Sequence, residues 1–145
     1  MSNSNELLFK AAKNGHVAVV ALLLEHNADP NKARTTDGVT PMYIAAEKGH
    51  ADVVELLLEH SANPNKATTD TGATPMFIAA QEGHVEAVAV LLEHNADPNQ
   101  AKTTTGSTPM FIAAQEGHVE AVALLLKHNA DPNKATTTDG ATPMY

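Results

Sequence analysis

The strongest constraint on this chain is where its prolines stand. They occupy positions 30, 41, 64, 75, 98, 109, 132 and 143, two interleaved series that each advance by 34 residues. Glycine keeps the same step at 15, 49, 83 and 117 and again at 38, 72, 106 and 140, and so does histidine, with His16, His50, His84 and His118 alternating with His26, His60, His94 and His128. Three residue types locked to one period describe copies of a single unit. The chain divides into a leader, 1–4, four units, 5–38, 39–72, 73–106 and 107–140, and a fragment of a fifth, 141–145. A fixed period between about 20 and 50 residues marks a solenoid or array whose units bury their apolar faces against one another, so 1–145 reads as one repeat domain.

Each unit reads as two short helices and a loop. In unit 2, Thr40 is a good N-cap, Pro41 a good first helical residue, and Gly49 a stop after Met42, Tyr43, Ile44, Ala45 and Ala46. The second helix spans His50 to His60, with Val53, Val54, Leu57 and Leu58 on one face and Asp52, Glu55 and Glu59 mostly off it. Asn27, Asn95 and Asn129 end this helix in the other units, and Asn accepts the left-handed C-terminal conformation more readily than Ser61 does in unit 2. The Thr-rich stretch from Ala62 to Gly72 is a turn or short hairpin. Helices of about ten residues are marginal alone in water, so the units must stack.

Composition narrows the chemistry. With no Cys, the chain has no disulfide framework, no thiol nucleophile and no thiolate-held zinc or iron-sulfur cluster. A formal net charge of −8 repels phosphate backbones and anionic lipid, so neither nucleic acid nor a membrane is an expected partner. The first residues lack a basic start followed by an apolar run, and no apolar run approaches the roughly 20 residues of a membrane span, which points to an intracellular chain. No phosphate loop, nucleophile elbow or H-E-x-x-H motif is present, and every acid or hydroxyl recurs at a repeat position, so no catalytic residue is assigned.

The residues of unit 2, Thr40-Pro41-Met42-Tyr43-Ile44-Ala45-Ala46, Gly49-His50, Val53-Val54, Leu57-Leu58 and Ala62-x-x-Asn65, resemble the ankyrin repeat, whose pattern is T-P-L-H-x-A-A, G-H, a Val and Leu helix and G-A-D-x-N. The likeness recurs in units 3 and 4 and more loosely in unit 1. The chain departs from the pattern with Met42, Met76 and Met110 for Leu, an aromatic for His, Asn or Ser for Gly, and one extra residue in each loop. The resemblance implies an all-α solenoid: a right-handed stack of helix pairs with projecting finger loops and a concave face that binds another protein. Carried over position by position, the binding residues are Lys32, Arg34, Thr35, Thr36 and Asp37 in finger 1, Thr68, Thr69, Asp70 and Thr71 in finger 2, and Lys102, Thr103, Thr104 and Thr105 in finger 3. Glu47, Lys48, Gln81, Glu82, Gln115 and Glu116 join them from the first helices, giving a Thr-rich, nearly neutral edge.

The histidines do not read as metal ligands. The two in a unit are ten residues apart on one helix, roughly 15 Å, and equivalent ones in neighbouring units are about 10 Å apart, whereas zinc needs each nitrogen at roughly 2.0–2.1 Å. No metal or cofactor is therefore expected. The resemblance implies that His16, His50, His84 and His118 link turns to neighbouring backbone, while the second set lies at helix C-termini, where a cation is favoured. Asp29-Pro30-Asn31 and its copies lack the remaining ligands of a calcium loop and read as turns. The aromatic column Phe9, Tyr43, Phe77, Phe111 and Tyr145 reads as packing between first helices and fingers rather than a ligand platform.

Differences between copies carry the rest. Units 3 and 4 differ at six positions, 73/107, 90/124, 93/127, 100/134, 102/136 and 105/139, which fits recent duplication or design. Unit 1 has Lys10 where the others have Ile44, Ile78 and Ile112, marking Lys10 as a polar N-terminal cap and placing the Ile column against the preceding unit. Unit 4 keeps Val122, Leu124, Leu125 and Leu126 without a polar counterpart, so the end at Tyr145 reads as a truncation, or as a face that stacks on another molecule; a monomer with end-to-end stacking through unit 4 is expected. Three functions stay open: a protein-binding scaffold, an engineered or consensus-like scaffold without a native partner, and the targeting portion of a larger enzyme or effector.

Overall fold

A computed structural model describes residues 3–134, so the fifth-unit fragment with Tyr145 lies outside the described residues. Among the described residues there are eight helices and no strand: α1 (Asn3–Asn14), α2 (Val17–Glu25), α3 (Pro41–Lys48), α4 (Ala51–Glu59), α5 (Pro75–Glu82), α6 (Val85–Glu93), α7 (Pro109–Gln115) and α8 (Val119–Lys127). Each odd helix packs on the even one that follows it. The odd helices α1, α3, α5 and α7 contact one another in order, and α2, α4, α6 and α8 do the same, giving two parallel layers of helices.

Local chemistry sets these boundaries. The hydroxyls of Thr40, Thr74 and Thr108 each accept a 3.1 Å hydrogen bond from the backbone N–H three residues on, at Tyr43, Phe77 and Phe111, with Pro filling the first helical position. Gly49 (φ +79°) and Gly83 (φ +73°) then turn the chain into the left-handed region, and the next backbone N–H closes onto Ala45 or Ala79 at 2.9 Å. The second helices end with Asn27, Ser61, Asn95 and Asn129 at φ between +64° and +69°. Ser61 therefore holds the conformation that suits Asn better.

The core is a row of small layers rather than one ball. Leu8, Met42, Met76 and Met110 are at most 1 % exposed at one repeat position, and Val20, Val54 and Val88 are fully buried at another, with Ala12, Ala46 and Ala80 between the layers. Met fills the Leu position without opening the core because its unbranched thioether adapts to an irregular space. Phe77 is buried and Phe9, Tyr43 and Phe111 are half-buried, so the rings serve packing.

Unit 1 corrects the expected cap. α1 begins at Asn3, four residues before Leu7, the counterpart of Pro41, because no Thr-Pro pair starts it later. Lys10 is exposed and pairs with Glu6 one turn back at 3.5 Å. Yet Leu7, Val19 and Leu22 are 51 %, 47 % and 56 % exposed, while Val53, the counterpart of Val19, is fully buried. The polar replacement covers part of the first helix only. Positions that pack on a preceding unit elsewhere remain apolar and uncovered in unit 1. Ile44 and Ile78 are buried and Ile112 is half-buried.

Candidate binding face

Each finger leaves the second helix through an Asx turn. The carboxylate of Asp29 accepts the Asn31 N–H at 2.8 Å, and Asn63, Asp97 and Asp131 repeat the arrangement, so these are turns and their side chains are occupied. The following Asn then reaches across the joint. Asn31 Oδ1 accepts the N–H of Asn63 at 2.7 Å, Asn65 that of Asp97 and Asn99 that of Asp131, both at 2.8 Å. Asn5 on α1 supplies the same acceptor to Asp29 at 2.9 Å. The sequence reading missed this ladder, although an Asn at 31, 65, 99 and 133 was its visible signal.

Beyond the turn the first three fingers fold back as hairpins. The N–H groups of Arg34, Thr68 and Lys102 donate to the carbonyls of Val39, Ala73 and Ser107 at 2.8–2.9 Å. Fingers also bond to their neighbours: Thr69 N–H donates to Asp37 O at 2.8 Å, Thr104 N–H to Thr71 O at 3.2 Å, and the Thr103 hydroxyl to Thr71 O at 3.0 Å. Gly38 and Gly72 must be Gly here, since a Cβ would stand 2.6 Å from Thr69 N and 2.0 Å from Thr103 Oγ1. The fingers thus form a continuous strip beside the odd helices, held by backbone bonds that leave side chains to face solvent.

The base of each finger packs on its own odd helix. The Arg34 guanidinium lies 4.9 Å from the Phe9 ring centre and Lys102 Nζ 5.4 Å from that of Phe77, both in cation–π range. Thr68 occupies the same position in finger 2 and is only 6 % exposed; its hydroxyl meets Thr71 Oγ1 at 3.2 Å and accepts the Ala73 N–H. Thr68 is therefore a buried hairpin residue and leaves the candidate surface. Of its two neighbours in the sequence, Thr69 is exposed and Ala67 half-buried.

Of the other candidates, Lys32, Thr35, Thr36, Lys48, Thr69, Asp70, Glu82, Thr103, Thr104, Gln115 and Glu116 are exposed. Arg34, Asp37, Glu47, Thr71, Gln81, Lys102 and Thr105 are half-buried. Arg34 and Asp37 bind each other, with Nε to Oδ1 at 3.1 Å and a second bond from the terminal nitrogen. That bond is the first cause that holds the Asp37 carboxyl below its usual range and raises Arg34 above its own. Glu47 and Gln81 are half-buried at positions whose carbonyls accept Nε2–H of His84 at 3.0 Å and of His118 at 2.9 Å; His50 does the same to Lys13 at 3.1 Å.

The edge is less neutral than a count of its charges suggests. The Tyr43 phenol is pushed up to about 12, first by burial and then by the negative charges of Glu47, Asp70, Asp37 and Glu82. Arg34, which feels Asp37, Glu47 and Asp70, lies over the Phe9 ring, and Lys102 lies over that of Phe77. The middle of the face therefore presents negative charge around one half-buried ring.

Among the described residues no group of three or more His, Asp or Glu side chains comes close enough to hold a metal ion, and no helix is long and apolar enough to cross a membrane. His26, His60 and His128 turn Nδ1–H to the carbonyl four residues earlier at 2.9–3.1 Å, while His94 reaches back to Glu55 of the preceding unit at 3.0 Å. The family model for ankyrin repeats, three copies long, matches residues 2–68 and again 62–136. No curated protein matches the chain.

Proposed function

The chain belongs to the ankyrin-repeat family, and from that premise we propose that it is a non-catalytic scaffold that binds another protein through its fingers and first helices. The observation that carries this reading is the strip of fingers itself. Its backbone is tied by hydrogen bonds within and between fingers, so the side chains at Thr35, Thr36, Thr69, Asp70, Thr103 and Thr104 are presented with little order left to impose on binding. Glu47, Lys48, Gln81, Glu82, Gln115 and Glu116 extend that surface along the odd helices. The carboxylates around Tyr43 favour a partner whose contact surface carries Lys or Arg.

The test is affinity capture from cell extract with the wild-type chain and with an E47K/D70K variant, followed by identification of what is retained. A basic-faced protein held by the wild type and lost on charge reversal is the expected result. Equal capture by both, with helical circular dichroism unchanged, would remove this face from consideration.

A further inference from the structure

The three internal joints are built alike. At each, the imidazole of one unit lies over a Gly of the preceding one: a Cβ at Gly15, Gly49 or Gly83 would stand 2.7–2.8 Å from the ring of His50, His84 or His118. The same imidazole donates Nε2–H to a carbonyl two residues before that Gly, at 2.9–3.1 Å. Beside it the even helices pack: Val53, Ala87 and Ala121, at one repeat position, are at most 1 % exposed, and at another Leu24 and Leu92 are 6 % exposed and Leu58 half-buried.

Both halves of this joint are present and uncovered at the two ends of the described stack. On α8, Val119 is 77 % and Leu126 45 % exposed, around a hollow of about 330 Å3 that Gly117 and Val122 also line. No described atom lies within 4 Å of a Cβ built on Gly117. On α2, Val19 is 47 % and Leu22 56 % exposed, and the His16 side that would enter such a seat faces solvent. We propose that a second copy of this chain docks head to tail, α2 of one copy on α8 of the next, with His16 over Gly117 and its Nε2–H on the Gln115 carbonyl. Along the even helices the contact continues the internal joint in the same register, while on the odd-helix side Lys10 stands where the internal joints have Ile. Residues 141–145 align with 39–43 and lie outside the described residues. Because the two surfaces differ, the contact is heterologous and does not close at two copies.

Sedimentation of the full chain, with V19E, L126E and their equimolar mixture, tests this. Both substitutions are at exposed positions and are expected to leave the helical circular dichroism intact. The wild type is expected to grow in average mass with concentration, up to about 1 mM, the weak end of measurable association. V19E and L126E are each expected to stay monomeric, and their mixture to give dimers and nothing larger, since one sound head meets one sound tail. A wild type that remains monomeric over that range, a V19E or L126E variant that dimerises alone, or a mixture that stays monomeric would overturn the proposal. The E47K/D70K variant is expected to assemble like the wild type, which separates this contact from the partner-binding face.

Discussion

Two histidine columns run along this stack ten residues apart, and they hold different things together. His50, His84 and His118 send Nε2–H across a joint to the backbone of the preceding unit, over a Gly that has no side chain to block them. His26, His60 and His128 send Nδ1–H back to their own helix, satisfying a C-terminal carbonyl. A carbonyl can only accept, so the two columns carry their protons on opposite ring nitrogens. The exception explains the rule. His94 crosses its joint because Glu55 stands opposite it, whereas the counterparts of Glu55 are Ala21, Ala89 and Ala123. Cohesion between units thus depends on contacts a single residue can switch on or off, and stability within a unit does not depend on them.

The sharpest way to break the cross-joint column is to fill its seat. Gly49→Ala puts a Cβ 2.7 Å from the His84 ring at φ +79° and is expected to cost about 2–4 kcal/mol in urea unfolding. Gly117→Ala carries the same backbone strain without the collision, and about 1–2 kcal/mol is expected. Equal losses at both sites would mean that the imidazole contact contributes nothing. Next in size, His84→Ala leaves the Glu47 carbonyl without its partner and is expected to cost about 1–3 kcal/mol, against under about 1 kcal/mol for His60→Ala. The two columns would be equivalent if thermal midpoints of these variants coincided.

Ties within a unit should give smaller effects. Ser61→Gly relieves a left-handed Ser and is expected to raise stability by about 0.5 kcal/mol, whereas the same change at Asn95 should be near neutral. Smallest is the finger 1 pair. Arg34 holds the Asp37 carboxyl below its usual value, so the contribution is full above the unfolded carboxylate value of about 3.9 and is lost as pH falls through the folded value. Asp37→Asn should cost under about 1 kcal/mol at pH 7, Arg34 being only half-buried, and nothing once the pH has fallen below the folded value. A cost that did not shrink as the pH fell would assign it to the Val39 N–H bond instead of the charge.

Local rules made much of this legible from the residues. Thr-Pro gives an N-cap and a first turn wherever it occurs, Gly gives the left-handed stop, and Asn before Ala ends the second helix; each depends on a few adjacent residues. What escaped depends on a neighbour elsewhere. Thr68 has the same chemistry as the exposed Thr69, and only the hairpin's alternation turns one inward. Asn5 opens unit 1 where the later units have Val39, Ala73 and Ser107, so no repeated Asn marks it, and its role rests on a turn 24 residues away. Val19 reads as core because its copies are core, yet burial belongs to the joint and not to the residue. The charges of the face balance in a count, but two cations lie over rings and four carboxylates act together on Tyr43.

The ladder of Asn31, Asn65 and Asn99 has a mechanical meaning. Tension along the chain would load one such link and one imidazole link per joint, in series, so units should peel away singly from an end. Each release frees 34 residues, about 110–120 Å of extended chain. A protein of this build behaves under load as a short spring of equal, resettable steps.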